Sequence, residues 1–311
     1  MKRGENNSSI VRKKGKLIPV LLIVTAAVTV LSVISVLVYM WIKHNSKTSY
    51  QELWANKDYA AVYQKSSEDI EKNPLNNSVL TYRGYAAFFL AVSENNPEEA
   101  QAMIDESIRS LRVALIDAKE QTVPQIKYML GKAYFHKNII CSYHFYSDLV
   151  VKYLEEARAA GFNEDDIPEL LGLSYGQLGQ PYESIKKFTD ALLIHESDFL
   201  LFNIAKEYYA QGNTSAAKQY LFRVTENKGD DRLLIKSLNL LAKIYIDEEK
   251  YDDAKELYEK VLLKDDNSAE THYGLGIIYE KNGDMIKARA EWRKCLKIDS
   301  TYEDALKKVY R

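Results

Sequence analysis

Residues 172–176 read Gly-Leu-Ser-Tyr-Gly, the G-x-S-x-G string that carries the nucleophile of serine hydrolases. That chemistry needs a strand entering and a helix leaving, so that a strained turn exposes the Ser174 hydroxyl to a base and an oxyanion hole. The flanking pattern is helical on both sides, so no such elbow is expected. His136, Cys141 and His144 could approach a soft metal, but helical spacing sets the two histidines two turns apart and no fourth ligand stands nearby. His195-Glu196 lacks the second His of a zincin, and Gly274-Leu275-Gly276 lacks the third Gly and the preceding strand of a phosphate-binding loop. Cys141 and Cys295 exclude a disulfide scaffold and a four-thiolate zinc site, and Cys295 reads as a packed thiol. The Asn-x-Ser/Thr strings at Asn6, Asn7, Asn76 and Asn213 are short enough to arise by chance. The expectation is no catalytic residue, no metal and no cofactor, with a Ser174 hydrolase as a remote alternative.

The elements that must position any site are helices. Of 311 residues only 13 are Gly and 6 are Pro, which argues against a turn-rich sandwich or barrel. The hydrophobic fraction of 46% is that of globular material, and tyrosine is in excess at 23. A balance of 42 Lys plus Arg against 44 Asp plus Glu removes the general electrostatic warrant for nucleic-acid binding.

The small net charge hides a segregation. Residues 17–42 contain no Asp, Glu, Lys, Arg or His, and as a helix they would span roughly 39 Å, more than the ~30 Å hydrocarbon layer. Tyr39 and Trp41 sit where amphipathic rings prefer the headgroups. Six Lys or Arg precede this run and few follow it, so the positive-inside rule predicts a single-pass anchor with residues 1–16 in the cytoplasm. Residues 43–311, with a net charge of −7, are then expected outside. A cleaved signal peptide is the alternative, but the apolar run is too long and lacks a clear small-x-small site.

Beyond the anchor an internal period dominates. Tyr245 falls on Tyr279, Ala254 on Ala288 and Tyr258 on Trp292, each pair 34 residues apart. A Leu-Gly-x-x-Tyr element recurs as Leu130, Gly131 and Tyr134; as Leu171, Gly172 and Tyr175; and as Leu275, Gly276 and Tyr279. It recurs with Ala for Gly at Ile204, Ala205 and Tyr208 and at Leu241, Ala242 and Tyr245. A small residue follows at Ser184, Ala217, Ala254 or Ala288, then Phe188, Leu221, Tyr258 or Trp292. Period and offsets together resemble the tetratricopeptide repeat (TPR). The family's signature Trp is replaced by Pro168, Leu201, Leu238 and His272.

The resemblance implies an all-α, TPR-type solenoid, a right-handed superhelix of antiparallel helix pairs, in which the small residue lets two helices close and the aromatics fill the wedge between pairs. The expected layout is a basic tail over 1–16, a transmembrane helix over 17–42 and a truncated first unit over 43–76. Two divergent enlarged units follow over 77–163, four regular units over 164–301 and a capping helix over 302–311. Intervals of 41 and 37 between repeat tyrosines place extra residues at 136–148 and 225–231.

The family binds partners on a face lined by first-helix residues two, five, nine and twelve places into each unit. Carried over, those offsets give Tyr85, Phe88, Tyr128, Lys132, Phe135, Phe199, Phe202, Lys206, Tyr209, Lys236, Asn239, Lys243 and Tyr273. Aromatic anchors with Lys and Asn donors suit a peptide, a helix or a terminal carboxylate, although aromatic stripes at helical spacing also arise from packing alone. The set only partly matches the carboxylate clamp of chaperone co-factors, because it contains no Arg.

The layout resembles that of bacterial envelope proteins with an anchored periplasmic solenoid. It implies a scaffold or adaptor in the inner membrane, with a protein or peptide partner and membership of a larger assembly. Examples of that class are translocon accessory factors, secretion or cytochrome-assembly chaperones and the spirochaete periplasmic flagellar collar. The alternative is a mitochondrial outer-membrane import receptor, with the same anchor and a cytosolic solenoid.

Overall fold

The computed structural model describes residues 28–38, 40, 49–142, 145–227 and 229–310. The chain divides into two compact units, Met1–Asp58 and Tyr59–Arg311. In the first, helix α1 spans 28–38 and helix α2 spans Tyr50–Ala55, where the Ser49 hydroxyl accepts from the Glu52 backbone N–H at 3.1 Å. Val28, Leu31, Ile34 and Leu37 of α1 are exposed. Among the described residues no helix is long and apolar enough to cross a membrane, so the expected transmembrane helix is not among the observed elements. Most of the remainder of the 17–42 run, including Tyr39 and Trp41, and the basic tail lie outside the described residues.

The second unit is helical throughout its described residues. It comprises α3 (Tyr59–Lys72), α4 (Asn77–Ser93), α5 (Pro97–Ile116), α6 (Val123–Ile140), α7 (Ser147–Ala159), α8 (Ile167–Gln177) and α9 (Pro181–Ile194). It continues through α10 (Asp198–Ala210), α11 (Thr214–Glu226), α12 (Asp231–Asp247), α13 (Tyr251–Leu262), α14 (Ala269–Lys281), α15 (Met285–Ile298) and α16 (Glu303–Tyr310). From α4 onward the helices pair as hairpins, with α3 packed on α4 and α16 on α15. Helix starts follow side-chain chemistry: Asn76, Asn96, Ser197, Asn213, Asp230, Ser268 and Asp284 each cap an N-terminus by accepting a backbone N–H of the first turn.

One packing rule recurs from hairpin to hairpin. A methyl group at Gly84, Gly131, Gly172 or Gly276 would come within 2.5, 2.6, 2.7 and 2.2 Å of Leu111, Leu154, Phe188 and Trp292, respectively. Each bulky side chain of a second helix therefore lies directly on the backbone of its first helix. The close approach also lets Ser107 and Ser184 donate to the Gly84 and Gly172 carbonyls at 2.7 and 2.8 Å. The repeat tyrosines bridge neighbours: Tyr208 stacks on Tyr220 at 5.7 Å, and Tyr245 packs against the cores on both sides of it.

The turn inside the regular hairpins needs a left-handed residue, supplied by Gly179, Gly212 and Gly283 with φ of 68°, 77° and 80°. Glu249 takes the same turn at φ 59° with a side chain. Removing its Cβ relieves the left-handed penalty but frees the unfolded chain. Glu249→Gly is expected to stabilise by ~0.5–1 kcal/mol, read as a rise in the denaturation midpoint. A fall would show that the turn does not govern this hairpin.

The extra residues near 136–148 lengthen α6 to Ile140, and a loop then leads into α7. Buried Asn138 pins that loop by accepting from the Tyr146 N–H at 3.1 Å and donating to Ser147 Oγ at 3.2 Å.

Candidate functional site on the first-helix face

The even-numbered helices α4 to α14 are the first helices of their hairpins. Neighbouring first helices touch, α4 with α6, α6 with α8, α10 with α12 and α12 with α14, which aligns them as one row. The expected binding residues all lie on this row, but burial and pairing divide them into different kinds.

Tyr85 and Phe88, 7% and 2% exposed, fill the interior of the second unit rather than standing on an open face. Phe88 is packed edge-on by His136 at 5.1 Å. Burial lowers the His136 pKa, with the Lys132 ammonium acting in the same direction. Tyr128 is buried and donates to Asp166 at 2.9 Å, while Lys132 Nζ lies 2.8 Å from Asp166 Oδ2 and 5.1 Å from the Tyr128 ring centre. Lys132 is thus neutralised in place by a residue the repeat offsets do not point to. Asn239 is buried too, accepting from Thr271 Oγ1 at 2.7 Å, which makes it a tie between α12 and α14.

The remaining residues reach solvent. Phe135, Phe199, Phe202, Tyr209 and Tyr273 are half-buried, and Lys206, Lys236 and Lys243 are exposed. Phe199 and Phe202 rest one flank on the cores beneath them. Tyr209 donates to Asp247 at 2.7 Å, and Lys243 Nζ stands 5.4 Å from the Tyr209 ring centre. From α10 to α14 the row is therefore an aromatic face with exposed ammonium groups.

At its C-terminal end this face deepens into a pocket of about 290 Å³ lined by Lys243, Ile246 and Asp247 of α12, Tyr258 of α13, and Glu270, Tyr273, Gly274 and Ile277 of α14. Tyr302 and Asp304 from the capping segment complete it, with the Tyr302 ring 5.1 Å from that of Tyr273. Gly274 lets Tyr258 lie directly on the α14 backbone, since a Cβ there would run into the Tyr258 ring and hydroxyl. Burial pushes the Tyr258 and Tyr302 hydroxyls up, with the Glu270 carboxylate adding to each. Burial also raises the Glu270 carboxyl, opposed by Lys243 and Lys236. Glu270 and Ile277 stand at offsets two and nine of the last unit, yet of that unit the expected set held only Tyr273. Tyr302 belongs to the following element and had no offset to reveal it.

Glu207 of α10 is a second departure from the pattern. It is 6% exposed, with its carboxylate set against the backbone of Gly176 in α8. Burial raises its pKa above the usual 4.5, Lys206 acting the other way. A carboxyl whose folded value lies above its unfolded one favours the protonated state, so it opposes folding at neutral pH and ceases to as pH falls through the raised value. Glu207→Gln is expected to raise the thermal midpoint at pH 7, with the gain shrinking as the pH approaches 4.5. An equal gain at every pH would remove ionisation as the cause.

The catalytic strings find no support in the geometry. Ser174 lies within α8, is fully buried and donates to the Leu170 carbonyl at 2.8 Å, with no strand before it. Among the described residues no cluster of His, Cys, Asp and Glu could hold a metal, and His144 lies outside them. Cys295 is buried and its thiol is pushed up to about 11 by desolvation, which suits a packing role.

Stacked antiparallel helix pairs joined through their first helices define an α-solenoid. Residues 167–306 match the model of the tetratricopeptide repeat protein 21 C-terminal ARM domain. Among solved structures, the chain is similar to the C-terminal part of a TPR repeat-containing protein from Cytophaga hutchinsonii. The two share 16% identity and a TM-score of 0.57, over 84% of this chain and 98% of the other. A tetratricopeptide repeat protein from Parabacteroides merdae gives 16% identity and a TM-score of 0.51, over 84% and 94%. The anaphase-promoting complex hetero-tetramer Cut9–Hcn1 gives 15% and 0.52, over 87% of this chain and 50% of that one. No curated protein matches the sequence. The chain is a TPR-like helical repeat protein.

Proposed function

We propose that this protein is a non-enzymatic scaffold that binds a polypeptide partner along its first-helix face and is held at a membrane by residues 17–42. The observation that carries the binding role is the run of half-exposed rings Phe199, Phe202, Tyr209 and Tyr273 beside exposed Lys206, Lys236 and Lys243 on successive first helices. Rings with both faces needed for packing would be fully covered, as Phe88 is. The Cut9–Hcn1 relative in fold is itself a hetero-tetramer, in keeping with this reading.

Membrane attachment rests on the apolar run, the charge asymmetry across it and the exposed side chains of α1. With the N-terminus inside, the solenoid is extracytoplasmic and serves an envelope assembly such as a secretion or translocon accessory complex or a periplasmic flagellar collar. A reporter active only outside the cytoplasm, fused after Arg311, should be active. An inactive reporter on a membrane-bound protein would favour instead the import-receptor arrangement with a cytosolic solenoid.

The binding face is tested by in-cell crosslinking and recovery of neighbours with the parent and with Phe202→Ala/Lys206→Glu. The double variant is expected to lose the partner at equal protein level; identical recovery would overturn the assignment.

A further inference from the structure

We infer that the outward face of α15 is a second docking surface, which takes the acidic side of a helix from a protein partner. The helix carries five Lys or Arg against the single acid Glu291, on a chain whose residues 43–311 sum to −7. Two of the five are matched: Lys287 Nζ lies 2.8 Å from Asp284, and Lys294 Nζ lies 2.7 Å from Glu291. Arg289, Arg293 and Lys297 are exposed and make no hydrogen bond or ion pair among the described residues. They stand four residues apart, so they form one stripe about 12 Å long with a charge at roughly every 6 Å. Like charges at that spacing repel one another on a helix. The helix C-terminus attracts cations, which accounts for Lys297 in the last turn but not for Arg289 in the second. On α13, by contrast, the lysines are matched within the helix, Lys255 with Glu259 and Lys260 with Glu256.

Two further features give the stripe a shape. Ile286 is 86% exposed, one turn before Ala290, which is itself exposed beside Arg289 and Arg293. The small residue lets a second helix approach closely, and Ile286 offers that helix an apolar contact at one end. Width decides the kind of partner. The preceding second helix, α13, exposes Asp252, Asp253, Glu256 and Glu259, and α16, packed on α15, opens with exposed Glu303 and Asp304. An anionic plane such as a lipid surface would meet those acids as well as the stripe, whereas a single helix lies along α15 alone. Carboxylates four residues apart on that helix match the spacing of the stripe, and each guanidinium can hold a carboxylate through two parallel N–H donors. Because α15 is a second helix, this surface is separate from the first-helix face and does not depend on it.

The test uses the full chain in mild detergent at low salt, with variants of matched helix content, and reads binding by fluorescence anisotropy. The probe is a labelled alanine-based helical peptide carrying three Glu four residues apart and a Leu one turn beyond them. The parent is expected to bind it, and to bind a peptide of the same composition with its Glu spread around the helix about fivefold more weakly. Binding should fall as salt shortens the screening length. Arg289→Gln/Arg293→Gln should weaken it about tenfold, and Ile286→Ser, which keeps every charge, about threefold. Lys119→Gln/Lys186→Gln removes the same charge from two exposed sites away from α15 and should bind as the parent does. Equal loss in that control, equal binding of the two peptides, or no binding of the aligned peptide by the parent overturns the assignment. Vesicles of phosphatidylglycerol and phosphatidylcholine provide the other arm. If the parent binds them and Arg289→Gln/Arg293→Gln does not, the stripe belongs to a lipid surface and the assignment is likewise overturned. The first-helix scaffold role is untouched by each of these outcomes, since none of the variants alters that row.

Discussion

Phe188→Ala should lower the stability of the solenoid by about 3–5 kcal/mol, the range for deleting a buried aromatic side chain. Three features put it in the upper part of that range. Phe188 is fully buried, it joins α8, α9 and α10 through Ala191, Leu200 and Ile204, and the surface it covers on α8 is Gly172, which has no side chain with which to fill the void. Because a solenoid couples each unit only to its neighbours, a weak joint at its centre should also uncouple the halves. Chemical denaturation is expected to show a lower first midpoint and a split transition where the parent shows one. Phe188→Leu should recover most of the loss, because leucine holds the same place at Leu111 and Leu154. A single transition with unchanged midpoint in Phe188→Ala would refute the packing rule.

Trp292→Ala removes a larger ring with a different consequence. It too is fully buried over a glycine, Gly276, and its loss should cost about 3–5 kcal/mol locally. It lies in the last hairpin, so the damage should stay there: hydrogen exchange is expected to accelerate across α14, α15 and α16 and to remain near parental values from α4 to α9. Trp292 Nε1 has no hydrogen-bond partner among the described residues. Trp292→Phe, which deletes that buried donor, should therefore be far milder than Trp292→Ala. Exchange that rises uniformly along the chain would contradict the one-dimensional description.

The regular repeats were legible because one constraint is imposed many times. Leu275, Gly276, Tyr279, Ala288 and Trp292 recur at their offsets since every hairpin must close over the same small residue and fill the same wedge. Gly84 carries the same role without the surrounding pattern, and its pairing with Leu111 emerges only when α4 and α5 are docked. Offsets alone could not separate a ring that fills the wedge from one that faces outward. Phe88 and Tyr209 hold equivalent places, four residues after Gly84 and Ala205, yet one is covered by His136 from the lengthened α6 while the other stays half-open.

Sequence by itself therefore determined the helical class, the hairpin repeat and which residues fall on the row proposed to meet a partner. It also determined the segregation of charge around the apolar run at 17–42. These are properties of local periodicity, and each is written within one unit. Tertiary structure alone decided which members of the row are available, that Asp166 neutralises Lys132, and that Tyr302 closes a pocket with Glu270. Those pairs are 34 and 32 positions apart in the chain, and their existence depends on how closely two backbones approach, which a single unit does not encode.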